Sequence, residues 1–157
     1  MVNVYRKVYR MVDIRSFHKD DASLLKQLRY TELDENEIAR IIDEWSAKQF
    51  NGKYFEMFAV VDEKSIVGQV SILEHGKNIV SFGVEIYSKY RRKGYAYISS
   101  EIVLDYARQM GYKIAVSQVK IDNEASLALH KKLGFEVDHD YVNKKGNAVF
   151  FLIKSLV

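Results

Sequence analysis

The chain has no cysteine among its 157 residues, which removes disulfides, thiolate metal sites and a thiol nucleophile together. It also has no proline, an unusual composition that assigns no function. The N-terminal stretch Met1-Val2-Asn3-Val4-Tyr5-Arg6-Lys7 lacks the apolar run of about 7–15 residues that a signal peptide needs, and nowhere do roughly 18 uncharged apolar residues run together. A soluble, cytoplasmic protein with no membrane partner is the expectation. The excess of one sign of charge is small. The net charge is +3, and there is no block of about five or six like charges, so composition does not call for a nucleic-acid partner. His18, His75 and His139 lie at scattered positions without metal-ligand spacing, and no metal is expected.

What is present is ordinary for a globular protein: 48% apolar and 29% charged residues. The length suits one domain, 1–157, with residues 1–11 as a peripheral extension. Val12 to Phe17 reads as a strand, and Asp20-Asp21-Ala22-Ser23 then offers caps for a helix carrying Leu24, Leu25 and Leu28. Asp34 and Glu37 have capping-box spacing ahead of a second helix with Ile38, Ile41, Ile42 and Trp45 on one stripe, ending before Asn51-Gly52. Three β-rich runs follow, Tyr54 to Val61, Ser65 to Glu74 and Asn78 to Tyr87; their hairpin-sized separators predict antiparallel neighbours. The apolar period then changes, with Ile98, Ile102 and Tyr106 four residues apart and Gly111 placed to stop a helix. Lys113 to Ile121 is β-like, Asn123 to Leu133 helical, and Phe135 to Tyr141 and Ala148 to Ile153 close the chain as strands. The predicted order is βααβββαβαββ, without internal repeats or linkers.

Two segments carry chemistry. The first, Arg91-Arg92-Lys93-Gly94-Tyr95-Ala96, joins a predicted strand to a predicted helix. A helix N-terminus has unpaired N–H groups and about half a positive charge, so a phosphate placed there receives directed hydrogen bonds. Gly94 lets the backbone curl close to a ligand and Ala96 keeps the first turn uncrowded. The cations could add roughly 1.5–3 kcal/mol per well-aligned contact, less where solvent screens them. By itself the segment is equally a basic, solvated turn. There is no first glycine of a dinucleotide fingerprint and no Gly-Lys-Ser/Thr ending of a Walker loop. The second segment is Asn123-Glu124-Ala125-Ser126-Leu127-Ala128-Leu129-His130-Lys131-Lys132-Leu133-Gly134-Phe135.

A strand, an R-x-x-G-x-A turn, a long helix, a strand and then N-x-x-S-x-x-x-(Y/H)-x-x-L-G-F resemble the GNAT superfamily of N-acetyltransferases over about Val12 to the C-terminus. The resemblance implies an α/β (α+β) fold, with a mixed, mostly antiparallel sheet of about six to seven strands flanked by about four helices. It implies acetyl-CoA as donor, with the pyrophosphate on the backbone of Arg91, Arg92, Lys93, Gly94, Tyr95 and Ala96, and the pantetheine arm pairing with the strand at Val84, Glu85 and Ile86. Asn123, Ser126 and His130 fall at positions near that arm, while Asn123 also suits a helix N-cap and Gly134 a C-cap.

The implied reaction is direct attack of a neutral primary amine, on a small molecule or a protein, upon the thioester within a ternary complex. A lysine-like amine of pKa ~10.4 is only about one part in a thousand neutral at pH 7, so a base is required. Glu85 is the first candidate, since alternation sets it on the face opposite Val84 and Ile86, although a solvated strand carboxylate would look the same. A glutamate that some relatives carry on the next strand is replaced near Gln118, which cannot serve. His130 stands where many relatives have an acid tyrosine, and an imidazole there either protonates the departing thiolate or packs against CoA. The segment with Glu32, Asp34, Glu35, Glu37, Asp43 and Glu44 against Arg40 is acidic, which suits a cationic acceptor or simply a solvated face. A non-catalytic CoA-binding regulatory module on the same fold is the alternative function. The closing strands, rich in Val, Phe and Tyr, supply an edge for a homodimer.

Overall fold

The alternating and helical periods of the sequence become β1 (Val12–Ser16), α1 (Ala22–Leu28), α2 (Glu35–Ser46), β2 (Gln49–Phe50), β3 (Lys53–Asp62), β4 (Ser65–Gly76) and β5 (Ile79–Ile86). They continue as α3 (Tyr95–Gln109), β6 (Ile114–Lys120), α4 (Glu124–Lys132), β7 (Glu136–Val142) and β8 (Ala148–Ser155). The computed structural model describes residues 11–157, so the expected N-terminal extension, apart from Met11, lies outside the described residues. Among the described residues no helix is long and apolar enough to cross a membrane.

The strands form one sheet in the order β1-β3-β4-β5-β6-β8-β7, with β2 paired to β3. Neighbours run antiparallel except β5 and β6. A parallel pair needs a crossover, which α3 supplies. Alternation splits each strand between two cores. Phe58, Val60, Val70, Ile72 and Val80 pack with Ile98, Val103 and Leu104 of α3, whereas Ala59, Ile66 and Tyr87 pack with Leu25 of α1 and Ile38 and Ile42 of α2. Helices α1 and α2 therefore cover one face of the sheet and α3 the other, each fully buried aliphatic side chain contributing about 1.5–3 kcal/mol.

Local signals act as their chemistry requires. Asp34 Oδ1 accepts from the Glu37 N–H (2.8 Å), and Glu37 Oε1 accepts from the Asp34 N–H (3.5 Å), closing the capping box of α2. One element was absent from the expected order. Asn51 (φ 51°) and Gly52 (φ 76°) do more than follow a helix. Both take left-handed backbone in a two-residue turn that folds β2 onto β3, pairing Phe50 with Lys53.

Candidate active site

The parallel pairing of β5 with β6 covers only Ile79–Ile114, Val80–Ala115 and Ser81–Val116. Beyond Ser81, β5 stays paired to β4 as far as Ile86–Gly68, and beyond Val116, β6 stays paired to β8 as far as Lys120–Val149. The two strands therefore part, and a wedge opens in the sheet between Phe82–Ile86 and residues 117–120. The Tyr87 N–H donates to the Val67 carbonyl (2.9 Å), and the Glu85 carbonyl lies against Gly68. Backbone groups of residues 85 and 87 thus point at β4, so by alternation those of Val84 and Ile86 point into the wedge. The Ile86 carbonyl there accepts from Arg91 Nε (3.2 Å). A strand edge in the middle of a sheet is a template for an extended ligand with amide groups.

The wedge runs directly into the basic turn. A 3-10 turn, Ser88–Tyr90, leads into Arg91 in extended conformation. Arg92 (φ 63°) and Gly94 (φ 85°) are both left-handed, and Gly94 is the N-cap of α3. Alternation of left-handed residues with their neighbours makes a concave run of backbone N–H groups of the kind that receives phosphate, and the N-terminus of a 15-residue helix adds its positive end. Glycine is needed at 94 because a side chain at that φ is strained. Arg91, Arg92 and Lys93 are exposed around it. The turn has the donors, the curvature and the charge for a pyrophosphate, and the wedge has the free strand edge for an amide-bearing arm, so the residues present fit acetyl-CoA.

Glu85 leaves the opposite face of β5 from Val84, toward α1. Its carboxylate is not solitary: Arg29, just past the end of α1, donates Nε to Oε2. The pairing raises the Arg29 pKa, chiefly through the hydrogen bond to Glu85. Behind this pair lies a polar network that sequence reading missed. Tyr87 is 1% exposed and donates its hydroxyl to Gln69 Oε1 (2.8 Å), while Gln69 Nε2 reaches the Tyr30 hydroxyl (3.3 Å). Burial, then nearby Tyr30 and Glu85, push the Tyr87 phenol well above its ordinary value.

His130 lies on the other face, 6% exposed. Phe82 of β5 (centroids 5.4 Å) and Phe135 (5.2 Å) pack on the ring. Nδ1 is 2.7 Å from the Ser126 carbonyl oxygen, and Nε2 is 2.7 Å from Ser117 Oγ on β6. A carbonyl only accepts, so Nδ1 carries the proton of the neutral ring, and Nε2 accepts from the Ser117 hydroxyl. Burial pushes the His130 pKa below its usual value, against a smaller opposing effect of the Ser126 hydrogen bond. His130 is thus a neutral, enclosed imidazole that meets its surroundings through Ser117.

The remaining expected residues are placed as follows. Asn123 Oδ1 caps α4 by accepting from the Ser126 N–H (3.1 Å). Gly134 (φ 95°) ends that helix, its neighbour Phe135 donating N–H to the His130 carbonyl (2.9 Å). Gln118 donates to the Tyr141 hydroxyl (2.6 Å) and accepts from Asn143 Nδ2 (3.0 Å), tying β6 to β7 and the turn after it. Of the acidic segment, Asp34 and Glu37 close the capping box, Asp43 pairs with Lys19 (3.2 Å), and Glu32 accepts from the Thr31 hydroxyl (2.9 Å). Among the described residues no group of three or more His, Asp or Glu is arranged to hold a metal ion.

A sheet opened between two parallel strands, with a phosphate-type turn at the mouth of the opening, defines a CoA-dependent acyltransferase. Comparison with known proteins agrees. A family model described as "Acetyltransferase (GNAT) domain" matches residues 9–136, and the chain belongs to the GNAT acetyltransferase family. It is 26% identical over 139 residues to the SPbeta prophage-derived uncharacterized N-acetyltransferase YokL of Bacillus subtilis (strain 168), covering 85% of this chain and 76% of that protein. Its fold is similar to spermidine N-acetyltransferase from Vibrio cholerae in complex with CoA and spermine, with TM-score 0.75, 17% identity and coverage of 94% and 96% of the two chains. It is also similar to yncA, a putative acetyltransferase from Salmonella typhimurium with its cofactor acetyl-CoA, with TM-score 0.71, 19% identity and coverage of 94% and 95%. A further structure of the Vibrio cholerae enzyme is dodecameric.

Proposed function

We propose that this enzyme acetylates a primary amine by direct attack in a ternary complex, with the pantetheine arm in the β5–β6 wedge and the acceptor arriving from the α1–α2 face. The observation that carries this reading is the end of β5–β6 pairing at Ser81 and Val116, followed, after β5 ends at Ile86, by the turn at Arg91–Ala96. In this reading Val84 and Ile86 offer backbone groups to the arm, with Glu85 between them. The N–H groups of Arg92, Lys93, Gly94, Tyr95 and Ala96 hold the pyrophosphate, and Arg91 orients the strand end through the Ile86 carbonyl. Asn123 and Ser126 act by setting the start of α4 and the His130 ring. The thioester supplies an activated acetyl group; everything else is binding, orientation and proton movement by the protein.

Glu85 is the carboxylate next to the wedge on the acceptor face, and we assign it the first proton of the acceptor ammonium. Arg29 holds the carboxylate in place. A cationic acceptor is favoured by this carboxylate and by the structural likeness to a spermidine acetyltransferase. Strand β7 is one edge of the sheet, with Val137 44% and Val142 68% exposed, and we assign this edge to a second copy of the chain.

Titration calorimetry with acetyl-CoA tests the donor site: the wild type binds in the micromolar range and Gly94→Glu does not. No binding by the wild type overturns the reading. A panel of amines with detection of released CoA thiol tests the transfer, and a protein without cysteine contributes no thiol background. Binding with no thiol release for any amine would leave a CoA-binding module instead of an acetyltransferase.

A further inference from the structure

Ser117 follows Val116, the last β6 residue paired to β5, and so stands at the apex of the wedge. It lies on the same side of β6 as Ala115 and Val119, the side that faces the α3 core. The residue is half-buried, and its hydroxyl is 2.7 Å from His130 Nε2. The His130 ring is fixed by the Ser126 carbonyl and by Phe82 and Phe135, so its one acceptor lone pair is aimed at Ser117. Ser117 therefore gives its proton to the ring and presents its own lone pairs away from it.

We infer that Ser117 is a catalytic residue of the acetyl transfer, relaying a proton from the attacking amine to the departing sulfur with His130 as its reservoir. The inference rests on the proposed ternary mechanism. As the C–N bond forms, the amine gives its second proton to Ser117 Oγ, and Ser117 passes its original proton to His130 Nε2. As the C–S bond breaks, the electron pair goes to sulfur, and His130 returns the proton through Ser117 to give the free thiol. Ser117 and His130 end as they began, and no further reactant is needed. The first proton of the ammonium leaves separately, on the Glu85 side. His130 acts only through Ser117, as a positioning residue and proton store. The groups packed on its ring, Phe82 from β5, Ser117 from β6, Ser126 from its own helix and Phe135 ahead of β7, carry no charge, so the relay is set by hydrogen bonds and burial.

The test uses Ser117→Ala, Ser117→Thr, His130→Gln and the double variant Ser117→Ala/His130→Gln. General acid–base catalysis contributes about 10²–10⁴-fold. Ser117→Ala is expected to lower kcat by about 10²-fold or more with little change in acetyl-CoA affinity, and to be largely rescued by Ser117→Thr. The double variant should be no slower than the single ones, since the two residues act as a unit. A Ser117→Ala enzyme with near wild-type kcat overturns the relay. A readout independent of turnover is the imidazole nitrogen spectrum of the whole protein. The free enzyme should show His130 with the proton on Nδ1, and acetyl-CoA should move the Nε2 resonance in the wild type but not in Ser117→Ala. A proton on Nε2, or no response to bound acetyl-CoA, overturns the inference even if no acceptor amine is found. Failure of acetyl-CoA to bind at all would instead count against the proposed function.

Discussion

Gly68 is where the wedge meets the rest of the sheet, and adding one methyl group there should distort it. The strands β4 and β5 approach so closely that a Cβ on residue 68 would lie inside hydrogen-bonding distance of the Glu85 carbonyl oxygen, 2.9 Å from Ile86 Cδ1 and 3.0 Å from Ile86 Cα. Two of these three atoms are backbone, so a rotamer change cannot relieve the overlap. One of the two strands must move, and for β5 the open side is the wedge. Overpacking of this kind costs typically 1–3 kcal/mol, and backbone neighbours place Gly68→Ala toward the upper end, about 2–3 kcal/mol. At about 2–4 °C per kcal/mol for a chain of this size, Tm should fall by about 4–12 °C. The matched control is Gly83→Ala on β5, whose Cβ would meet only Ser71 Oγ, at 2.9 Å. That hydroxyl can rotate away, so the loss should stay below about 1 kcal/mol. Differential scanning calorimetry compares the two, and acetyl-CoA titration should show weaker binding by Gly68→Ala. Equal melting of Gly68→Ala and wild type, or an equal loss in Gly83→Ala, would refute the reasoning.

Further outcomes follow from the site. Glu85→Gln removes the charge that pairs with Arg29 and should lower kcat while leaving acetyl-CoA affinity nearly unchanged; turnover unchanged at every pH would remove Glu85 from the reaction. Arg29→Ala should mainly affect the acceptor KM, measured by thiol release, because Arg29 lies on the acceptor face and acts through Glu85. The buried His130 has a folded-state pKa below the unfolded value of about 6.5. The unfolded chain therefore takes up a proton first as pH falls, so the contribution of this group to stability is complete above the unfolded pKa. That contribution is lost as pH falls from there toward the lowered folded pKa. Melting curves across this window should show His130→Gln with a flatter pH dependence than the wild type, and equal slopes would contradict the assignment.

Most of the element order was legible because each element announces itself locally. The Asp34–Glu37 box, the stripe of Ile38 and Ile42, the separators between β3, β4 and β5, and Gly111 at φ 102° past α3 all act within a few residues. Asn51-Gly52 was legible only in part. The pair carries the strongest short-range hairpin signal, but a strand of two residues has no period to read, so β2 was missed. The turn at Arg91–Ala96 could be read for the same local reason: curvature, helix start and charge are properties of adjacent residues.

What the order of residues determined alone is therefore the covalent inventory, the local conformations and the succession of elements, including a phosphate-type turn between a strand and a helix and the absence of any thiol. Tertiary structure decided everything that depends on which strands and helices become neighbours. Arg29 and Glu85 are 56 residues apart and meet only because α1 is laid on the face of β5 that carries Glu85. His130 could be placed on a helix from its spacing, but its neutral tautomer, its enclosure by Phe82 and Phe135 and its bond to Ser117 exist only once α4 is packed against β5 and β6. The wedge itself is the end of a strand pairing at Ser81 and Val116. Pairing between strands separated by a helix is set by packing of the whole sheet, and no local preference records where it stops.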